Sequence, residues 1–256
     1  MNKNLLFTTA INNSETSRIP NSDYSKYCIK TYESWCKKNN VDWMVIDESH
    51  KRYKYPVWNK DTIFELVGDK YDKIGYVDSD TMIKWDAPNI FDLYDDEFCT
   101  VRESASLRWI LGSLNNFKKF YPNIKINNRE ILTNYFNSGV SFFTKKHKYV
   151  FDNLIDLYEK NSVELDRVGT LGCGKVQTLL NYELINTNTK MKYLSPSWNL
   201  ISIHKKEMFG YNWQLDEDKT PFFIKYAYIW HFTGFPIEDR IKIMKQTWDI
   251  IGHNYK

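Results

Sequence analysis

The run Lys73-Ile74-Gly75-Tyr76-Val77 is apolar up to its end and stops at Asp78-Ser79-Asp80, and two comparable runs precede it, Leu5-Leu6-Phe7-Thr8-Thr9-Ala10 and Val41 to Ile46. Each reads as a buried strand. Between the first two, Ser22 can cap a helix from about Asp23 to Lys38, whose Tyr24, Tyr27, Cys28, Tyr32, Trp35 and Cys36 recur at helical spacing and mark a core-facing stripe. A second helix is expected from about Asn59 to Val67. Strand, helix, strand, helix, strand implies parallel pairing, because a parallel neighbour is reached only by a crossover. The fold class is therefore α/β, with a mainly parallel central sheet flanked by helices. In such sheets ligands sit beyond the carboxyl ends of the strands, which puts Thr8-Thr9 and Asp78-Ser79-Asp80 on one rim.

Downstream the pattern is more mixed. Glu97 to Val101 and Val140 to Thr144 read as strands, and Tyr149 to Glu159 and Val176 to Leu184 as helices. A last helix is expected from about Ile237 to Ile251, just after Pro236, with Ile237, Ile241, Met244 and Trp248 on one face. Glu103 to Arg129 and His204 to Pro221 are polar and studded with aromatics, and read as loops available to a second ligand. At 256 residues the chain is long enough for one large domain. No internal repeat is visible.

Composition removes several classes. Lysine plus arginine exceed aspartate plus glutamate by only three, and the charges are interspersed, so no basic stripe for a nucleic-acid backbone stands out. No run of about 18 apolar residues marks a transmembrane segment, and the N-terminus lacks a secretory pattern, so a cytoplasmic protein is expected. Cys28, Cys36, Cys99 and Cys173 form no Cys-x-x-Cys pair and sit among apolar or small residues, which suits reduced thiols. Nine Trp and eighteen Tyr are abundant, as where sugar rings stack, although aromatics also fill cores.

The chemistry concentrates at Asp78-Ser79-Asp80. Two carboxylates at the end of a strand can turn toward one point, with Ser79 facing away or touching a ligand. Hard oxygen donors suit Mn²⁺ or Mg²⁺ bridging a diphosphate, where the cation neutralises charge on a leaving phosphate. His231 follows the apolar Ala227-Tyr228-Ile229-Trp230 and precedes Phe232-Thr233-Gly234. A neutral imidazole is a good third ligand, and Gly234 lets backbone amides approach a phosphate. His50, His147, His204 and His253 lie among charged or polar neighbours and read as surface.

Four segments in order, Tyr71 to Thr81, Asn89-Ile90-Phe91-Asp92-Leu93, Asn137-Ser138-Gly139-Val140 and His231-Phe232-Thr233-Gly234, together resemble the GT-A-fold glycosyltransferases, closest to glycosyltransferase family 8 and its relatives. The resemblance spans nearly the whole chain. It implies a single Rossmann-like, nucleotide-sugar-binding catalytic domain over residues 1–256, with 1–100 as the nucleotide- and metal-binding half and 101–256 as the donor-sugar and acceptor half. Asp78, Asp80 and His231 would then hold Mn²⁺ (or Mg²⁺), and Thr8, Thr9 and Ala10 would line the nucleotide pocket of a UDP-sugar. Lys60 matches a basic position facing the donor, with an exposed helix lysine as the alternative. Asn137 and Gly139 would approach the donor sugar from a strand, and Gln177 would lie beside it, with a surface glutamine as the alternative. Two departures stand out. Ile237-Glu238-Asp239 replaces the usual Lys-Pro-Trp, leaving Arg240 or Lys242 as substitutes on the phosphate, and Val176 stands where many relatives carry an acidic residue.

The expected reaction is metal-dependent transfer of a hexose from UDP-glucose or UDP-galactose to a hydroxyl of a glycan, glycolipid or protein-linked acceptor. The resemblance implies retention of anomeric configuration without a dedicated base, whereas an inverting relative would need a carboxylate such as Glu103, Asp166 or Asp216. Arg108, Trp109, Tyr211 and Trp213 are the loop residues expected near an acceptor. A phosphatase of haloacid-dehalogenase type also uses Asp-x-Asp after an apolar strand, but it wants Thr or Val where Met82 stands, and on the first strand. A pyrophosphorylase should show a glycine-rich first loop, absent from Thr8-Thr9-Ala10-Ile11-Asn12-Asn13. The reading from another class is a non-catalytic protein of the same fold that binds glycans or nucleotide sugars.

Overall fold

A computed structural model describes residues 3–11, 25–124, 128–204 and 220–255. The capping Ser22, the loop from Asn12 to Arg18, and Tyr211, Trp213 and Asp216 lie outside the described residues.

The three expected N-terminal strands form as β1 (Asn4–Thr9), β2 (Asp42–Ile46) and β3 (Lys73–Val77), and β1 pairs in parallel with both others. The helix α1 (Ser25–Asn39) makes the first crossover. The second is not the single helix expected from Asn59 to Val67. Pro56 opens a 3₁₀ stretch, Pro56–Thr62, and only α2 (Ile63–Val67) is α-helical. Proline presets the first turn but donates no amide, and the tighter winding turns Lys60 and Asp61 inward.

After β3 the chain makes β4 (Thr81–Ile83), β5 (Phe98–Arg102), β6 (Phe136–Thr144) and β7 (Met191–Tyr193). The main sheet has the order β2-β1-β3-β6-β5-β7. Only β6 runs against the others, antiparallel to both β3 and β5, so the sheet is mainly parallel with one reversed strand at its centre. A short second sheet pairs β4 with β8 (Ile229–His231), aligning Thr81 with His231.

The segment Glu103 to Arg129, expected as loop, contains α3 (Leu107–Phe117), whose cap Ser106 accepts from the Trp109 amide. Ile110, Leu114 and Phe117 supply a buried stripe that the exposed Leu107 and Leu111 beside it obscure in the sequence. The remaining helices among the described residues are α4 (Asn128–Asn134), α5 (Lys148–Gly169), α6 (Val176–Asn186), α7 (Phe222–Tyr226) and α8 (Ile237–Ile251). None of the described helices is long and apolar enough to cross a membrane.

Strand alternation sends Leu5 and Phe7 to one face and Leu6 to the other. The first face packs on Phe151 and Leu154 of α5 and Leu179 and Leu180 of α6, and the second on Tyr32 and Trp35 of α1 and Ile243 and Met244 of α8. Each fully buried large side chain contributes about 1.5–3 kcal/mol. Cys28, Cys36 and Cys99 are buried free thiols in this packing and Cys173 is partly covered. His147, expected at the surface, is 4% exposed, because its Nδ1 accepts the Thr144 amide and closes the turn into α5.

Asp61 is buried with Oδ1 unpartnered among the described residues, and burial, against the pull of Lys60, pushes its carboxyl up to about 7. The folded protein thus keeps a proton that the unfolded chain releases near pH 4, and native stability falls as pH rises from about 4 to about 7. Asp61→Asn should flatten this dependence: between about pH 5 and about pH 8, wild type should lose more unfolding free energy in urea than the variant. Equal losses would contradict the assignment.

Candidate active site

The Asp78-Ser79-Asp80 turn is fixed from several sides. The Asp78 amide donates to the Gly139 carbonyl at 2.7 Å, the Thr81 amide returns to the Asp78 carbonyl at 3.0 Å, and the Phe232 amide donates to the Asp80 carbonyl at 2.9 Å. From α1, the Tyr32 hydroxyl reaches the carbonyls of Asp78 and Thr81 at 2.9 and 2.6 Å. Tyr32, one of a core stripe in the sequence, is also a clamp on this turn.

The pairing of β4 with β8 brings His231 across to the acidic pair. Its Nε2 lies 3.1 Å from Asp80 Oδ1 and 3.7 Å from Asp78 Oδ2. One ligand atom from each of Asp78, Asp80 and His231 can be chosen so that all lie within 4.8 Å of one another. The ring is set by buried Asn199, whose Oδ1 is 2.9 Å from His231 Nδ1 while its amide nitrogen donates to Asn137 Oδ1 at 3.1 Å. Asn199 therefore presents an acceptor to Nδ1, which places the ring proton there and aims Nε2 at the carboxylates. Burial lowers the affinity of His231 for a second proton, but Asp80 and Asp78 outweigh it and the imidazole is pushed up overall. Burial likewise raises the Asp80 carboxyl, and His231 with Arg240 reverses this and holds it below the usual range. Two carboxylates and an Nε2 aimed between them suit a divalent cation, which would take the place of the bridging proton.

Gly139 sits against this trio. A Cβ there would lie 2.3 Å from His231 Cε1 and 2.5 Å from Asp78 Oδ2, so a side chain would displace one of the three. Asp78 Oδ1 accepts from the Tyr76 hydroxyl at 2.5 Å, and that hydroxyl is 3.0 Å from Thr9 Oγ1. Thr9 thus reaches the site through Tyr76, whose phenol burial and Asp78 push up.

Beside the trio opens a cleft of about 990 Å³ whose wall includes Lys60, Asp78, Glu103, Asn137, Ser138 and Gln177, together with Thr233 and Gly234. Lys60 is 7% exposed rather than an exposed helix lysine; its Nζ donates to Ser138 Oγ at 2.8 Å. Gln177, at the start of α6, accepts from the Ser138 amide at 3.2 Å and donates to Glu103 Oε2 at 3.0 Å. Glu103 Oε2 also accepts from Asn137 Nδ2 at 2.9 Å, and its Oε1 from the amides of Ser104 and Ala105. One carboxylate therefore orients both amide side chains facing the cleft. The sequence named Glu103 only as a base for an inverting enzyme. Of the other two such carboxylates, Asp166 is engaged by Tyr158 on α5 and is not on the cleft wall.

Not every named residue reaches this wall. Thr8 is fully buried, and Thr8, Thr9, Ala10 and Ser79 are absent from the cleft lining, as is exposed Arg108; Trp109 is part of it, its Nε1 donating to the Gly172 carbonyl at 3.0 Å. Arg240 lies 2.9 Å from Asp80 Oδ2, whereas Lys242 is exposed.

The sequence profile described as glycosyl transferase family 8 matches residues 2–236. The chain belongs to that family. No curated protein matches the sequence. Similar solved structures include a glycosyltransferase involved in glycosylation of the major capsid of PBCV-1, at 13% identity and TM-score 0.58, covering 95% of this chain and 99% of that one. WbbM, a bifunctional glycosyltransferase, follows at 14% and 0.57, covering 97% of this chain and 51% of that one. The galactosyltransferase LgtC, solved with donor and acceptor sugar analogues, matches at 12% and 0.51 over 97% and 95%. At these identities the structures establish the shared GT-A fold. Family membership makes glycosyl transfer the reaction class and leaves a haloacid-dehalogenase phosphatase without support.

Asn199→Leu removes the group that orients His231 and should lower Mn²⁺ affinity by about 10–100-fold in a titration of free Mn²⁺. Unchanged affinity would remove Asn199 from this role.

Proposed function

We propose that the chain transfers a hexose from a UDP-sugar, UDP-glucose or UDP-galactose, to a hydroxyl of a glycan, glycolipid or protein-linked acceptor, in a divalent-metal-dependent reaction that retains anomeric configuration. The observation that carries this reading is the convergence of Asp78, Asp80 and His231 at the edge of the cleft bearing Lys60, Glu103, Asn137 and Gln177. Mn²⁺ or Mg²⁺ held by the trio would neutralise charge on the departing diphosphate.

The protein's own groups supply the rest. Lys60 presents a buried ammonium to the cleft, suited to the donor phosphates or a donor hydroxyl. Glu103, with both oxygens engaged, holds Asn137 and Gln177 as a fixed polar surface for sugar hydroxyls. Such preorientation lowers the barrier by fixing the donor before the acceptor attacks. With Val176 apolar, Asn137 and Gln177 are the polar readers of the donor at this wall. Trp109 and Tyr55 line the same cleft and offer aromatic faces to an acceptor ring. Residues 1–100 would bind nucleotide and metal, and 101–256 the two sugars, within one catalytic domain.

Purified protein should release UDP from one UDP-sugar in a panel when Mn²⁺ is present and not with EDTA, and Asp80→Asn should lower the rate by about 10²–10³-fold. Metal-dependent binding of the nucleotide sugar without any turnover or hydrolysis would instead favour the non-catalytic binding protein.

A further inference from the structure

We propose that Arg240 is a resident counter-cation of Asp80 that opposes uptake of a divalent cation alone, so that the site takes the cation together with a diphosphate. The inference rests on the reading of Asp78, Asp80 and His231 as metal ligands.

Arg240 stands in the first turn of α8, directly after the His231-Phe232-Thr233-Gly234 segment, and its amide donates to the Pro236 carbonyl at 2.9 Å. Its Nη1 lies 2.9 Å from Asp80 Oδ2, while His231 takes the other oxygen, Oδ1, at 3.1 Å. The two side chains are 16% and 11% exposed, so solvent and salt screen them less than a surface pair. Asp80 thus meets any incoming cation with Oδ1 against the His231 ring and Oδ2 held by an arginine that cannot lose its charge.

The surroundings extend this balance. In and beside the cleft, the carboxylates of Asp78, Asp80 and Glu103 face the cations of Lys60, Lys175 and Arg240. With His231 counted neutral, the formal charges of these six described groups cancel before any ligand arrives. A divalent cation alone adds two charges next to a guanidinium, in a partly buried setting where like charges repel strongly. A diphosphate offsets the added positive charge and gives the guanidinium a second acceptor of the bidentate kind that arginine favours. Arg240 therefore weakens binding of the bare cation and strengthens binding of the cation with diphosphate. A role confined to packing α8 would change neither in this opposed way.

The test is Mn²⁺ affinity, read from the electron paramagnetic resonance signal of free Mn²⁺, for wild type, Arg240→Gln and Arg240→Lys, each with and without UDP. Wild type should bind Mn²⁺ at least about tenfold more tightly with UDP. Arg240→Gln should bind Mn²⁺ alone about tenfold more tightly than wild type and gain less from UDP, and Arg240→Lys should keep the wild-type affinity for Mn²⁺ alone. If Arg240→Gln binds Mn²⁺ alone no more tightly than wild type, the counter-cation role is overturned. A wild type indifferent to UDP overturns it without recourse to a variant. Absence of Mn²⁺ uptake by wild type even with UDP contradicts the metal-site reading itself, and the role of Arg240 with it.

Discussion

Gly139 is the point at which the three parts of the site touch. A methyl group at that position would overlap His231 Cε1, Asp78 Oδ2 and Asn137 Oδ1, so the approach of β6 to the segments bearing Asp78 and His231 depends on an absent side chain. β6 reaches there because it alone runs against the other strands and lies between β3 and β5. Its carbonyl at Gly139 takes the Asp78 amide, and residues 137 and 138 then face Glu103, Lys60 and Gln177. Sheet order and site geometry are thus one arrangement.

The same region concentrates buried polar groups that need partners. Asn199 and Asn137 are almost fully buried and satisfy each other, His231 and Gly139 in a connected set of hydrogen bonds. Asn181 does similar work one turn beyond Gln177, bonding both the amide and the carbonyl of Phe136 at the start of β6. Held from both ends, the network gives Gln177 and Asn137 fixed directions before any ligand enters.

Much of this was legible in the sequence where one segment carried the whole signal. The three N-terminal strands, α1, α6 and α8 follow from local periodicity, and Asp78-Ser79-Asp80 follows from an apolar strand ending in acid. The 3₁₀ stretch after Pro56 was not legible as such, because residues that read as a helix there are wound more tightly. Helix α3 was hidden because Leu107 and Leu111 put apolar residues at exposed positions as well, although Ser106 with Ile110, Leu114 and Phe117 held the signal. Asn199, Tyr32 and Glu103 acquire their roles only from long-range pairing. No spacing links Asn199 to His231, since the parallel bridge of Leu200 with Trp230 must first bring residues 199 and 231 together. His147 read as surface from its lysine neighbours, yet a backbone turn draws it inward.

The central claim is that Asp78, Asp80 and His231 hold one divalent cation at the edge of the cleft. Anomalous diffraction from crystals grown with Mn²⁺ and UDP tests it most directly. The account predicts a single strong peak within bonding distance of all three side chains, about 2.0–2.3 Å from their ligand atoms. Bound UDP with no anomalous peak at the trio, or a peak held by other residues, would contradict it.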